Sequence, residues 1–482
     1  MNTPNPSNTN VVVAGIQGAP GIAGLAFPTL GATTIYVDPV NGNDSGNGSI
    51  TAPYKTGGKA ASVVQGVTFT GPLVVNLLGD LPATDVTAFR SIRFAQGSGA
   101  HSINGTPQNV AGSASTCTSG TTASNPASNV AWAFADTGKA SSYFAAYLGY
   151  RIRITSGPRA GTSATIIKDL GSSRCRITQP FANDLVSGTW TPSTIVSGDA
   201  YELQRGSVIP WGAADFTGSG DENVTFTVND LCFAAVTPQY AWTLLSVKGV
   251  QHQLNRCDFP GPDFDFGPIT SGPLGISYSG DPFIYGILAN CSMQGQAVVA
   301  QSDLGIVGGA LWNNGAAINV SSGGTIILDN DVILQTVDWG GPGTVTDLGS
   351  SLLIGQAAFF DNVGHGLVVG PGETCILQDA IANFGGGPHR LWGAGNSGYG
   401  VNVQAGGRLV CQATIPTLTG TLGDFALGGT ATNAFGVSPT TGAVVGPTTT
   451  TWAHLGTTLG AGTGFGGTAL NPVNGATAEK LA

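Results

Sequence analysis

The chain has 482 residues, 75 of them glycine and 27 proline, a density of helix-breaking residues that excludes long helical bundles and coiled coils. Only 9% of residues are charged while 41% are hydrophobic, which is the composition of a chain that folds and is not held open by its own charge. A net charge of -10, from 17 basic and 27 acidic residues, gives no field to attract nucleic acid, and an anionic membrane surface would repel it.

No apolar run approaches the roughly 18 residues that span a bilayer, so no membrane insertion is expected. The N-terminus lacks the basic and long apolar regions of a secretory signal, so the chain is expected to be made in a cytoplasm without a signal peptide. Seven cysteines are spread along the chain without the close Cys/His spacing of zinc or redox sites, and they read as small buried apolar residues. No cofactor and no metal are expected.

The first segment, residues 1–30, is rich in Asn and Pro and then places glycine at every third position from Gly15 to Gly24. That spacing suits collagen-like trimeric packing, and a flexible linker is the simpler reading; either way the segment reads as an N-terminal attachment arm. The next unit, 31–142, opens with Ile35-Tyr36-Val37, then Asp38-Pro39-Val40-Asn41-Gly42-Asn43-Asp44, then Ala52-Pro53-Tyr54-Lys55-Thr56. This is a strand running into a tight loop. Its Asp and Asn residues lack the spacing and closing Glu of a calcium loop, so they read as turn caps. The pattern resembles the opening of right-handed parallel β-helix proteins.

From Tyr143 to about residue 206 the texture changes to short runs alternating at period 2, such as Arg151-Ile152-Arg153-Ile154 and Ala200-Tyr201-Glu202-Leu203. These read as antiparallel strands of an inserted small β-module, 143–206, and they resemble modules found within phage tail and other virion proteins. Arg151 and Arg153, like Arg174 and Arg176, fall two apart on one strand face; a solvated face is the simpler reading, and the pairing also suits acidic sugars or a carboxylate-rich partner subunit.

Over 207–430 the chain repeats itself. Residues 313–328, 362–377 and 396–411 share a pattern of N-x-G, a short apolar strand, a glycine turn and a second strand. Cysteines recur at Cys232, Cys257 and Cys291, as an internal ladder in stacked rungs would require. The expected fold is therefore all-β, a right-handed parallel β-helix solenoid of about eight rungs with an inserted small β-module and extended N- and C-terminal arms. Residues 431–482 form a low-complexity C-terminal segment, expected to order against neighbouring chains. Both termini are available to cover the solenoid's open ends.

The repeat resembles pectate-lyase-like β-helix proteins of the phage tailspike and virion-appendage type. That resemblance implies a homotrimer, contacts with other virion subunits, a place on the particle surface, and host surface polysaccharide as partner. The resemblance implies an Arg or Lys base for lyase chemistry, and between Arg256 and Arg390 there is no Lys or Arg, so cleavage is expected to be hydrolytic if it occurs. Hydrolysis needs two carboxylates, and Asp263 with Asp265 and Asp329 with Asp331 have the spacing to share a strand face, as an acid and base or a calcium site would need, while capping of rung turns is the simpler reading. Gly364-His365-Gly366 resembles an element of polygalacturonases, whose adjacent aspartates are missing here. Sugar stacking falls to Trp312, Trp339, Trp392 and Tyr399, with Arg151 and Arg153 as polar carbohydrate-binding partners. The reading favoured is attachment to polysaccharide without cleavage; a tailspike depolymerase using the four aspartates, or a decoration or baseplate subunit that binds no glycan, are the alternatives.

Overall fold

Between its glycine and asparagine turns the chain offers runs of two to nine residues that are apolar or alternate, and these become strands. The computed structural model describes residues 28–85, 92–118, 133–177, 197–211 and 224–235, and beyond them the backbone of successive strands to residue 481, with side chains as far as Ile306. The described residues are all-β apart from one short α-helix, Gly57–Val64, and one 3-10 turn, Tyr143–Tyr147. Their strands group into several sheets of parallel strands and one antiparallel sheet, with no closed barrel among them.

The parallel sheets are built by a coiling path. Val224–Asn229 enters a thirteen-stranded sheet, Leu231–Ala235 a nine-stranded sheet and Tyr240–Leu245 an eight-stranded sheet. The chain then returns at Val250–Asn255 to pair in parallel with Val224–Asn229, in register from Val224 opposite Val250 to Asn229 opposite Asn255. From Val224 to Leu427 each turn thus adds one strand to every one of these three sheets. Parallel strands joined this way need crossovers long enough to come round, and here the other two sheets supply them. At about 4.7 Å per strand the thirteen-stranded sheet extends on the order of 55 Å. It exceeds the eight rungs expected because Thr33–Val37, Leu73–Leu77 and Ala100–Asn104 stack before the repeat, and Ala443–Pro447 and Thr477–Leu481 continue the stack after it.

In-register stacking lines up like residues. Ile103, Val228, Leu254, Leu288 and Ile306 follow one another across the thirteen-stranded sheet, all buried. Two positions away, His101, Phe226 and His252 form a second buried column. On the half-buried side, Asn76, Asn104, Asn229 and Asn255 form an amide ladder, each side-chain NH2 donating to the carbonyl of the residue before it at 2.8–3.0 Å. Each bond satisfies a polar group that the stack would otherwise strand.

The cysteines are placed differently from the expected single ladder. Cys232 stands opposite Asp258, so Cys257 and Cys291 occupy a common rung position and Cys232 lies one position on. The cause is the corner residue: the chain turns through left-handed Asp230, Arg256 and Asn290, with φ of 54°, 51° and 53°, and the corner fixes register ahead of the cysteine. Cys117, Cys175, Cys232, Cys257 and Cys291 are all buried free thiols.

The antiparallel sheet is an excursion within one rung. The chain leaves the coil after Ala100–Asn104 at Gly105 and rejoins it at Gly206, before Ser207–Trp211. Both glycines lie against the carbonyl oxygen of Asp230, where an added Cβ would approach to 2.1 Å at Gly105 and 2.5 Å at Gly206, so neither position admits a side chain. Thr106 and Ser207 close the base of the excursion: the Thr106 N–H donates to Ser207 Oγ, which donates back to the Thr106 carbonyl. Inside, Phe134, Phe144, Ile152, Ile154, Ile166, Tyr201 and Leu203 form a core continuous with Val208 and Cys232 of the coil.

The Asp38–Asp44 loop caps turns. Asp38 Oδ1 accepts the N–H groups of Val40 and Asn41, and Asp44 accepts those of Lys55 and Thr56 together with the Thr56 hydroxyl. The Asn41 N–H holds the Asp38 carboxyl below the usual range.

Candidate functional site: the module–coil cleft

A cleft of about 600 Å³ opens where the excursion leaves and rejoins the coil. One wall is the outer face of the antiparallel sheet. Arg151–Ile154 reads R-I-R-I, and because Ile152 and Ile154 face the module core, alternation puts Arg151 and Arg153 on the opposite face. Gln204 stands opposite Arg151 and Asn109 opposite Gln204, while Glu202 and Ser163 flank Arg153. The other wall is the coil corner, where Asp230 and Arg256 occupy equivalent positions on consecutive rungs.

The two walls are joined by a charge network. Arg151 Nη1 donates to Asp230 Oδ1 at 3.1 Å and Nη2 to Asp258 Oδ2 at 2.8 Å, and Nη2 also donates to the Arg256 carbonyl. Arg256 grips the same Asp230 with a fork, Nε to Oδ1 at 2.9 Å and Nη2 to Oδ2 at 2.7 Å. The Asp258 Oδ1 accepts the Ser292 hydroxyl at 2.9 Å. Two guanidiniums thus meet two carboxylates.

Burial opposes the charge on Arg151, but the Asp258 and Asp230 carboxylates outweigh it and hold the guanidinium pKa above its ordinary value. Burial likewise pushes the Asp258 carboxyl up, against the pull of Arg151 and Ser292. With side-chain exposures of 3% and 0%, this pair is a structural fastening.

Nearer solvent a second network fixes the rim. Glu202 Oε1 accepts from Arg153 Nη1 at 3.0 Å and from Gln204 Nε2, and Oε2 accepts from Asn109 Nδ2 at 2.9 Å. Arg153 keeps 44% of its side chain exposed. Below it, Arg205 forks onto Asp80 at 2.7 and 2.6 Å, and Asp80 also accepts the Val208 N–H, which anchors the strand that returns to the coil. Burial opposes the charge on Asp80, yet the Arg205 fork wins and holds its pKa below the usual carboxylate value.

Of the remaining sequence-predicted residues, those that are described fall in three different sheets. Trp312 stands opposite Gln335 and Trp392 opposite Ala358 in the nine-stranded sheet; Asp329 stands opposite Val307 in the thirteen-stranded sheet and Tyr399 opposite Gly423 in the eight-stranded sheet. Asp263, Asp265, Asp331 and Trp339 lie outside the described residues. Of the second arginine pair, Arg174 is exposed and Arg176 buried. Among the described residues no three His, Cys, Asp or Glu side chains converge as a metal site would require.

Sequence reasoning reached Arg151 and Arg153 but missed Asp230, Arg256, Asp258, Glu202, Gln204 and Asn109. A signal was present in the rung motif: Asn229-Asp230-Leu231-Cys232 and Asn255-Arg256-Cys257-Asp258 place opposite charges at one corner position on successive rungs.

No protein-family profile matches the chain, and no curated protein does. Among solved structures it is similar to a glycoside hydrolase, with TM-score 0.24 and 10% identity over 80% of this chain and 95% of that one. It is similar also to the Gp54 tailspike of Acinetobacter baumannii bacteriophage AP22, solved in complex with A. baumannii capsular saccharide, with TM-score 0.20 and 10% identity over 80% of this chain and 70% of that one. A third similarity is to the Pseudomonas phage phi297 tailspike gp61, with TM-score 0.22 and 10% identity over 78% of this chain and 61% of that one. At this level the similarity transfers no residue role to this chain.

Proposed function

We propose that the chain is a right-handed parallel β-helix protein of a phage-like virion appendage, which attaches to a host surface polysaccharide without cleaving it. The observation that carries this reading is the cleft between module and coil. It presents planar polar side chains, Arg153, Asn109 and Gln204, held in place by shared hydrogen bonds, and such preorganised donors and acceptors suit a sugar's hydroxyl and carboxyl groups.

The state of the cleft carboxylates favours binding over hydrolysis. A glycosidase needs one carboxyl group to give a proton and another to act as base or nucleophile. Here both oxygens of Asp230 accept from arginines, both oxygens of Glu202 accept from Arg153, Gln204 and Asn109, and Asp258 is buried behind Arg151. Each is committed to structure.

On this reading residues 1–30 dock the protein to other virion subunits, the coil projects from the particle surface, and three copies assemble. Among the described residues no helix is long and apolar enough to cross a membrane. The test is retention of the full chain on an immobilised panel of bacterial capsular and lipopolysaccharide glycans, with released reducing ends assayed in parallel. Selective retention without new reducing ends supports attachment. Release of reducing ends, abolished when Asp263, Asp265, Asp329 and Asp331 are all changed to Asn, would establish the depolymerase instead.

A further inference from the structure

We infer that the module–coil cleft recognises a carboxylate-bearing saccharide, a uronate or similar acidic sugar, through the open edge of Arg153, with Arg151 acting as a positioning residue. The inference deepens the attachment reading and rests on it.

The argument is an account of donors. A guanidinium has five N–H groups in a fixed fork. Arg151 turns Nη1 and Nη2 inward onto Asp230, Asp258 and the Arg256 carbonyl, and its side chain is 3% exposed, so it offers a ligand nothing directly. Arg153 engages Glu202 through Nη1 alone. Its Nε and Nη2 form the side-on edge of the fork, and the side chain is 44% exposed at the cleft rim. That edge matches the two oxygens of one carboxylate. On the facing wall Arg256 binds Asp230 through Nε and Nη2, which turns its Nη1 away from that carboxylate, with the side chain 28% exposed.

The acceptors are already engaged. Asp230 and Glu202 line or flank the cleft, and each of their oxygens already receives at least one hydrogen bond, so the open N–H groups of Arg153 and Arg256 stand beside carboxylates that are partly engaged. Charge decides between acidic ligands. Arg151, Arg153 and Arg256 are balanced by Asp230, Asp258 and Glu202, and the whole chain carries -10, so a dianionic phosphate finds no surplus charge. A single carboxylate needs only one fork. The Asn109 and Gln204 amides and the Ser163 hydroxyl in the same cleft are the partners a sugar's hydroxyls require.

Arg151 places this edge. It stands two residues before Arg153 on one strand, and its ion pairs fix that strand against the coil corner.

The test uses the full chain, an oligogalacturonate as probe and the same oligomer with its carboxyl groups reduced to alcohols, by isothermal titration calorimetry. Oligogalacturonate is expected to bind at least about tenfold more tightly than the reduced oligomer. Arg153→Lys, which keeps the charge and loses the fork, is expected to remove about tenfold of that affinity with an unchanged melting temperature, while Arg174→Lys at an exposed position elsewhere in the module changes nothing. Equal binding of the two oligomers, or full affinity in Arg153→Lys, would overturn the inference and leave polysaccharide attachment standing. Binding of neither oligomer would overturn it too, and retention on the glycan panel then decides separately whether attachment itself holds.

Discussion

At the scale of single residues, the groups that matter most are charged or titratable and buried. Arg151 is 2% exposed with carboxylates on two sides, so its removal leaves Asp258 an uncompensated charge inside the junction. Arg151→Ala is expected to cost about 3–5 kcal/mol in chemical denaturation, against about 1 kcal/mol or less for Arg153→Ala, whose ion pair is exposed. Equal losses would mean that the junction is not fastened by Arg151.

His101 predicts a pH dependence. Its Nδ1 accepts the Leu73 N–H at 3.0 Å, Nε2 lies 2.9 Å from Ser98 Oγ, its ring packs on Phe94, and burial lowers its pKa to about 4. The unfolded histidine takes a proton near pH 6.5 and the folded one refuses it until about 4, so stability is full above 6.5 and falls with pH across that window. His252, which burial lowers to about 3, acts in the same direction. The loss from His101 alone is on the order of 3 kcal/mol, and His101→Gln is expected to flatten the profile of unfolding free energy between pH 7 and 4. An unchanged profile would place the dependence elsewhere.

At the scale of elements, the repeat was the most readable feature, for a physical reason. Residues 318–328, 367–377 and 399–411 each hold a strand of the eight-stranded sheet and a strand of the thirteen-stranded sheet with a glycine-containing sequence between them, and Thr374 stands opposite Arg408 as stacked copies require. The third strands, Val332–Thr336, Gln356–Phe359 and Arg390–Asn396, share no motif. The alternating R-I-R-I strand announced the module, whereas Gln108–Asn109, Ser115–Thr116 and Ala133–Ala135 are too short to show a period. The cleft was half legible: strand alternation paired Arg151 with Arg153, but the partners come from rungs about eighty and a hundred residues on, which only the stacking brings near. The asparagine ladder is a property of elements too. Asn229→Ala breaks its bonds to both Asn104 and Asn255 and is expected to cost about 1–3 kcal/mol, whereas Asn47→Ala in the exposed loop costs little. Matching losses would show that the ladder adds nothing beyond the sheet.

At the scale of the whole molecule, a parallel stack has ends whose unpaired strands invite association. The outer edge of Thr33–Val37, the first strand of the thirteen-stranded sheet, is met by residues 48–54, where the Tyr36 N–H donates to the Gly48 carbonyl and the Tyr54 N–H to the Tyr36 carbonyl, and the helix Gly57–Val64 packs beside the same strand and buries Ala60, Ala61 and Val64. Its N-terminal N–H groups are satisfied by Asp85, which accepts from Gly57 and Gly58, and by Thr56, which accepts from Lys59. Ala61→Glu forces a charge under this cap, and light scattering is expected to show aggregation that the unaltered chain does not share; a monodisperse variant would deny the helix its covering role.

The central proposal is that this chain, through the cleft between the module and the coil, holds a polysaccharide and leaves it whole. The most direct measurement is size-exclusion chromatography of purified bacterial surface polysaccharides before and after incubation with the full chain, following polymer length and protein in the same run. The expected result is a polymer of unchanged length that carries the protein with it. A shortened polymer, or polymers that elute free of protein across the whole panel, would contradict it.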